Sequence, residues 1–277
     1  MTGKQLDLFA GPMPATAPDT PSPDKPAVDA AALSDAALIA AIAEAGIGEC
    51  HTLAREAARR RLAAGVPVLK ALCQRHAGFG GERMVPQQAA ALDALAAIGG
   101  REASRAVGDL VRRGAVGGPG LKLAVAAAAR LDSPLPEEIV ASLLRHDDPQ
   151  IRAAAARCAR TWPRTAPILI ELLDDLHREV SIAAACALGR MGRAEARVPL
   201  LRALRDEPSE EIIDAAAGVG DEEFIVLLGR TAANRPDLAR TVLEALEPIE
   251  HPLAAKVATR IRAAEDLNAV PGGIQNP

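Results

Sequence analysis

The chain has 277 residues, 49% hydrophobic and 25% charged, with 32 Lys and Arg against 36 Asp and Glu and a formal charge of −4. This balance excludes a disordered polyelectrolyte, and no window offers the roughly 18 consecutive apolar residues of a membrane span. Phe9, Phe79, Phe224 and Trp162 are the whole aromatic inventory, so a core has to be built from Ala, Leu, Ile and Val, which suits closely packed helices. Cys50, Cys73, Cys158 and Cys186 form no CxxC pair and fall inside helical patterns. They read as small buried hydrophobes in a reducing cytoplasm, not as a disulfide framework.

In chain order, the first feature is the apolar and amide run KQLDLF at residues 4–9, which Asp7, Pro12 and Pro14 make too short and broken for a signal peptide. Residues 10–33 follow with Pro12, Pro14, Pro18, Pro21, Pro23 and Pro26 among Ala, Thr, Ser and Asp. Such a stretch cannot bury enough apolar surface to offset its ordering entropy, so residues 1–33 are expected to form a disordered tail with a Pro-rich tether. From Ser34 the pattern becomes helical. SDAALIAAIAEAG offers Ser34 as N-cap and Gly46 as stop, and VPVLKALCQRHAG offers Pro67 in a first turn and Gly78 beyond the last. About fifteen such segments succeed one another to residue 268, with no competing strand pattern. Residues 269–277 form a second short tail.

The helices repeat. IRAAAARCA from Ile151, VSIAAACAL from Val180 and LKLAVAAAA from Leu121 lie about 30 residues apart, with weaker copies at Gln87 and near Ile212, the interval of a stacked helical-hairpin solenoid. The unit DDPQIRAAAARCARTWPRTAPILIELLDD and its successor HREVSIAAACALGRMGRAEARVPLLRALRDEP resemble HEAT repeats of the short, Ala-rich bacterial kind, most clearly from about Val85 to Ala232. The resemblance implies an all-α, HEAT-like α-solenoid over residues 34–268 and a binding role. It also implies that Arg152, the repeat-position arginine, pairs with Asp147 or Asp148 in the turn before it.

Residues 5–9, QLDLF, resemble the pentapeptide by which bacterial polymerases and mismatch-repair proteins dock on the DNA sliding clamp, and match its preferred form at all five positions. A chance match has a probability on the order of 10⁻⁶ per position. The resemblance implies that Leu8 and Phe9 fill one apolar pocket of the clamp's β subunit, that Gln5 enters a polar one, and that Leu6 and Asp7 complete the contact. The competing reading is that Leu6, Leu8 and Phe9 fold back as a cap on the first repeat of a general protein-interaction scaffold.

Charge is uneven. Residues 50–165 hold 18 basic against 10 acidic residues, and residues 166–277 hold 12 against 19. Arg55, Arg59, Arg60, Arg61, Arg112, Arg113, Arg157 and Arg160, with Arg164 nearby, are therefore candidate contacts to the backbone of double-stranded DNA, although Arg on Ala-rich helices also serves simply to solvate them. Few aromatics make base stacking on single strands a poor fit. An enzyme reading, a HEAT-like glycosylase for alkylated bases, would have only Trp162 with Asp174 or Asp175 to work with. Cys50, His51, Cys73 and His76 are too far apart along a helical hairpin, roughly 12 Å in level, to share a metal. The expectation is a non-enzymatic, cofactor-free cytoplasmic adaptor whose solenoid holds DNA or another replication or repair protein near the clamp.

Overall fold

Ser34 Oγ accepts a hydrogen bond from the Ala37 amide at 3.3 Å and opens the first α-helix, where the Ser-Asp start placed it. The computed structural model describes residues 29–79 and 81–269, with side chains as far as Glu265. Gln5–Phe9, the tether from 10 to 28, and residues 270–277 lie outside the described residues. Fifteen α-helices of 7 to 18 residues follow in order. They are α1 (Asp35–Glu44), α2 (Ile47–Arg59), α3 (Val66–Arg75), α4 (Pro86–Ile98), α5 (Gly100–Arg112), α6 (Gly118–Arg130), α7 (Glu137–Leu143) and α8 (Pro149–Cys158). The remainder are α9 (Thr165–Glu171), α10 (Arg178–Arg190), α11 (Arg197–Asp206), α12 (Glu210–Val219), α13 (Glu222–Asn234), α14 (Ala239–Leu246) and α15 (Pro252–Ala269).

Consecutive helices pair as antiparallel hairpins, and the hairpins stack in two layers. The even-numbered helices α2 to α14 pack each on the next without interruption, whereas the main contacts of the odd-numbered helices fall into the groups α1–α3–α5, α7–α9 and α11–α13–α15. Continuity therefore resides in the even layer. Composition explains this: Ala153 to Ala156 of α8 are all buried, as are Ala183, Ala184, Ala185 and Ala187 of α10 and Ala215 and Ala216 of α12. Small side chains bring neighbouring helix axes together, and the larger Leu, Ile and Phe224 fill the space between the layers.

The approach is tightest where α10 crosses α12. A Cβ added to Gly189 would lie 2.7 Å from the Ala215 carbonyl oxygen, and one added to Gly218 would lie 3.1 Å from Arg190 Cα, so the two backbones touch. Two residues later Gly220 ends α12 in the left-handed conformation, φ 61, that a side chain resists.

The solenoid begins earlier than the helical pattern suggests. Residues 29–33, assigned from sequence to the tail, include a 3₁₀ turn at Ala30–Ala32 with Ala30 buried. The cause is Arg60 at the end of α2, whose guanidinium donates to the carbonyls of Ala30, Ala31 and Leu33 at 3.2, 3.0 and 2.8 Å. Pairing of these carbonyls with an arginine two helices away is a tertiary event with no local signature.

The contact between α10 and α12 yields a paired test. Gly218→Ala should lower unfolding free energy by about 1–3 kcal/mol because backbone has to move. Gly48→Ala in α2, where no atom stands within 4 Å of the new methyl, should be neutral or stabilise by up to about 1 kcal/mol. Urea unfolding of the two variants decides, and equal stability of Gly218→Ala and the parent chain would remove the backbone contact from the account.

Candidate functional site

The basic stretch of the sequence does not fold into one basic surface. Arg55, Arg59, Arg60 and Arg61 lie on or just after α2 and Arg157 and Arg160 at the end of α8, both in the even layer but with α4 and α6 stacked between them. Arg112 and Arg113 end α5 in the opposite layer.

Most of these side chains hold carboxylates. Arg59 and Arg60 share Glu56 at 2.7 Å, and Arg60 also reaches Asp35 at 2.8 Å. Arg59 and then Arg60, through their hydrogen bonds, pull the Glu56 carboxyl down to about 2. Arg112 contacts Asp109, which Lys70 of α3 also holds at 2.7 Å. Arg157 spans three successive even helices, meeting Glu211 of α12 at 3.1 Å and Glu179 of α10 at 3.4 Å. Arg160 pairs with Asp132 at 2.6 Å and Arg164 with Glu138 at 3.5 Å. Of the eight candidates, Arg55, Arg61 and Arg113 are exposed and make no ion pair among the described residues.

Further arginines of this stretch are exposed without an ion pair among the described residues. Two of them, Arg101 and Arg105 of α5, are spaced by four and followed by Arg112, which puts three guanidinium groups along one face of that helix. Neither belongs to a run of adjacent arginines, and the spacing of four is their signal in the sequence.

Arg152 has a different partner from the one expected. Its Nε and Nη2 grip the Asp175 carboxylate at 2.9 and 3.1 Å, while Nη1 donates to the His146 and Asp147 carbonyl oxygens, both at 2.8 Å. Asp148 is occupied in capping α8, its Oδ1 accepting from the Gln150 amide at 2.8 Å. The arginine therefore fastens the turn before α8 to the turn before α10. Asp175 is 8% exposed; burial alone would push its carboxyl up, but the His177 amide and Arg152 together hold it below the usual carboxylate range.

Other chemistry-bearing residues are accounted for by packing. Trp162 is half-buried against the core, Asp175 is clamped by Arg152, and Asp174 is exposed. Burial pushes the Cys73, Cys158 and Cys186 thiols up to about 12, so they behave as inert apolar groups. Among the described residues no group of three His, Cys, Asp or Glu could hold a metal ion, and no helix is long and apolar enough to cross a membrane.

These contacts separate two roles. Arg60→Glu should lower the melting temperature by several degrees because it releases residues 29–33, while Arg101→Glu with Arg105→Glu should leave it unchanged. If the solenoid touches duplex DNA, the α5 pair should weaken binding and flatten its salt dependence, as read by titration at two salt concentrations. The Arg152 clamp has its own signature. A depressed carboxylate stabilises the fold above its unfolded value, near 3.8, and loses that contribution as pH falls through the lower folded value. Arg152→Ala should therefore cost about 1–3 kcal/mol at pH 7, and the deficit should shrink in urea unfolding near pH 3. A deficit that is the same at both pH values would assign the effect to packing alone.

The sequence model of the HEAT-repeat family matches residues 136–220, the stretch from the start of α7 to the end of α12. No curated protein matches the chain. The match covers less than a third of the residues, but the hairpin stacking continues on both sides of it. The chain is an all-α, HEAT-like solenoid, an architecture of protein-interaction scaffolds.

Proposed function

We propose that the protein is a non-enzymatic, cytoplasmic adaptor that docks on the β-type sliding clamp of bacterial DNA replication through Gln5–Phe9. Its solenoid then presents a partner in replication or repair. The observation that carries this reading is the five-residue match of QLDLF to the clamp-docking form, followed by a Pro-rich tether. An extended peptide of this kind gains from burying Leu6, Leu8 and Phe9 at roughly 1.5–3 kcal/mol each. Ordering the segment costs about 2–5 kcal/mol, which leaves an affinity on the order of micromolar. A reversible contact of that strength suits a factor that visits the clamp in competition with others.

The pairing of arginines favours a protein as the solenoid's own partner. Arg59, Arg60, Arg112, Arg157 and Arg160 already have carboxylates within ion-pair distance, and a phosphate would have to displace them. DNA remains the second reading, through α5.

Leu8→Ala with Phe9→Ala should weaken clamp binding by more than about a hundredfold, since two anchors worth roughly 3 kcal/mol or more are lost, and should leave helicity and melting temperature unchanged. The measurement is a pull-down and titration with purified clamp, alongside a thermal melt. A melting temperature lowered by several degrees would mean that Leu8 and Phe9 cap the first repeat, and the clamp reading would fail.

A further inference from the structure

In the C-terminal half of the solenoid arginines come with carboxylates. Arg178, Arg190, Arg193, Arg197, Arg202, Arg205, Arg235 and Arg240 each lie within 4.0 Å of an Asp or Glu oxygen. Arg230 of α13 and Arg260 and Arg262 of α15 are exposed and have none among the described residues. Arg230 and Arg260 line the same groove, about 540 Å³ in volume, formed by α13, α15 and the segment around the start of α14. Its apolar surface comes from Val226, Leu253, Val257 and Ile261, of which Val226 is 41% exposed. Glu265 also lines it, leaving the groove one net positive charge among apolar walls.

A groove of this size and lining suits a short segment with several apolar side chains and a carboxylate among them. We infer that it takes the Gln5–Phe9 segment of a second copy of the chain, with Leu6, Leu8 and Phe9 on the apolar surface and Asp7 between Arg230 and Arg260. The reach of the tail selects a second copy over the same one. Six even-layer steps separate α2 from α14, roughly 50–60 Å at ordinary helix spacings. The 19 residues from 10 to 28 span about 24 Å as a random chain and about 65 Å only at full extension, so the tail reaches its own groove at high entropic cost. An antiparallel partner brings the groove close. Both tails are then exchanged in a closed two-fold dimer. The docking itself does not depend on the clamp; its consequence rests on the clamp reading, because one peptide cannot occupy both sites and clamp would release the dimer.

Sedimentation velocity on the full chain over a micromolar concentration series tests the inference, together with titration of a labelled peptide of residues 1–16 into the full-length Leu8→Ala/Phe9→Ala protein. The expected result is a concentration-dependent dimer that both Leu8→Ala/Phe9→Ala and Arg230→Glu/Arg260→Glu dissociate. Peptide binding should fall at least tenfold with the groove variant and be restored by Asp7→Arg in the peptide, a rescue that a misfolded groove could not show. Arg230→Glu/Arg260→Glu should still bind clamp, so loss of self-docking and failure of the clamp reading are separable. A dimer unaffected by the groove variant, a chain monomeric throughout with no peptide binding, or peptide binding only after removal of residues 270–277 would each overturn it, the last by naming the C-terminal segment as the occupant.

Discussion

Close approach of the even-numbered helices is the constraint on which the rest of this structure depends. Alanine gains little from burial compared with Leu or Ile, so an Ala-rich layer is stable only if its helices come near enough for backbone atoms to supply the missing dispersion contacts. At Gly189 and Gly218 the approach reaches backbone contact. The hairpin turns are carried along: because each repeat advances by so little, the turn of one hairpin lies within the length of an arginine side chain of the next. The clamp of Arg152 on Asp175 and the reach of Arg157 across α10 to α12 are consequences of that spacing.

Charge in this chain therefore has to be read at the period of the repeat. Arg152 pairs 23 residues onward, Arg197 24, Arg160 28 residues back and Arg178 29 onward. Windows of the sequence that look strongly basic or acidic are neutralised across neighbouring turns, at which point they stabilise the stack and no longer advertise a ligand. Exposed pairs of this kind are individually weak; those of Arg152 and Asp175, partly withdrawn from water and sharing backbone carbonyl and amide partners, carry more. The arginines without a carboxylate among the described residues include Arg55 and Arg61 at α2, Arg101, Arg105 and Arg113 at α5, and Arg230, Arg260 and Arg262 on α13 and α15, and they are the ones free to meet another molecule.

Much of the architecture was legible because it is local. The interval near 30, Ser34 as a cap, Pro67 in the first turn of α3 and Gly78 beyond its end are features of short sequence windows, and each has its structural counterpart. What could not be read depends on who meets whom across repeats. Gln88 looks like a surface amide on a weak repeat copy, yet it is buried and its Nε2 donates to the carbonyls of Cys73, His76 and Ala115 at 3.0 to 3.1 Å, tying the end of α3 to the turn before α6. The partner of Arg152 and the early start of the fold at Asp29 were hidden for the same reason. The peptide at residues 5–9 proposed to dock on the clamp is the reverse case: a short linear segment would carry its recognition chemistry in its own side chains, so the proposal rests on the sequence pattern alone.

The two ends of the solenoid are closed differently. At the C-terminal end α15 turns Lys256, Thr259, Arg260 and Arg262 to solvent, the polar outer face that a terminal repeat needs. At the N-terminal end α1 exposes Ala36, Ala37 and Ala40, and its only charges are Asp35 and Glu44; small side chains keep the apolar area modest without a polar cap. The chain entering this end is not secured to α1 alone. Arg60 holds the carbonyls of Ala30, Ala31 and Leu33 from the last turn of the even-layer helix α2. Arg60 thereby ties residues 30–33 to the layer whose helices pack without interruption among the described residues.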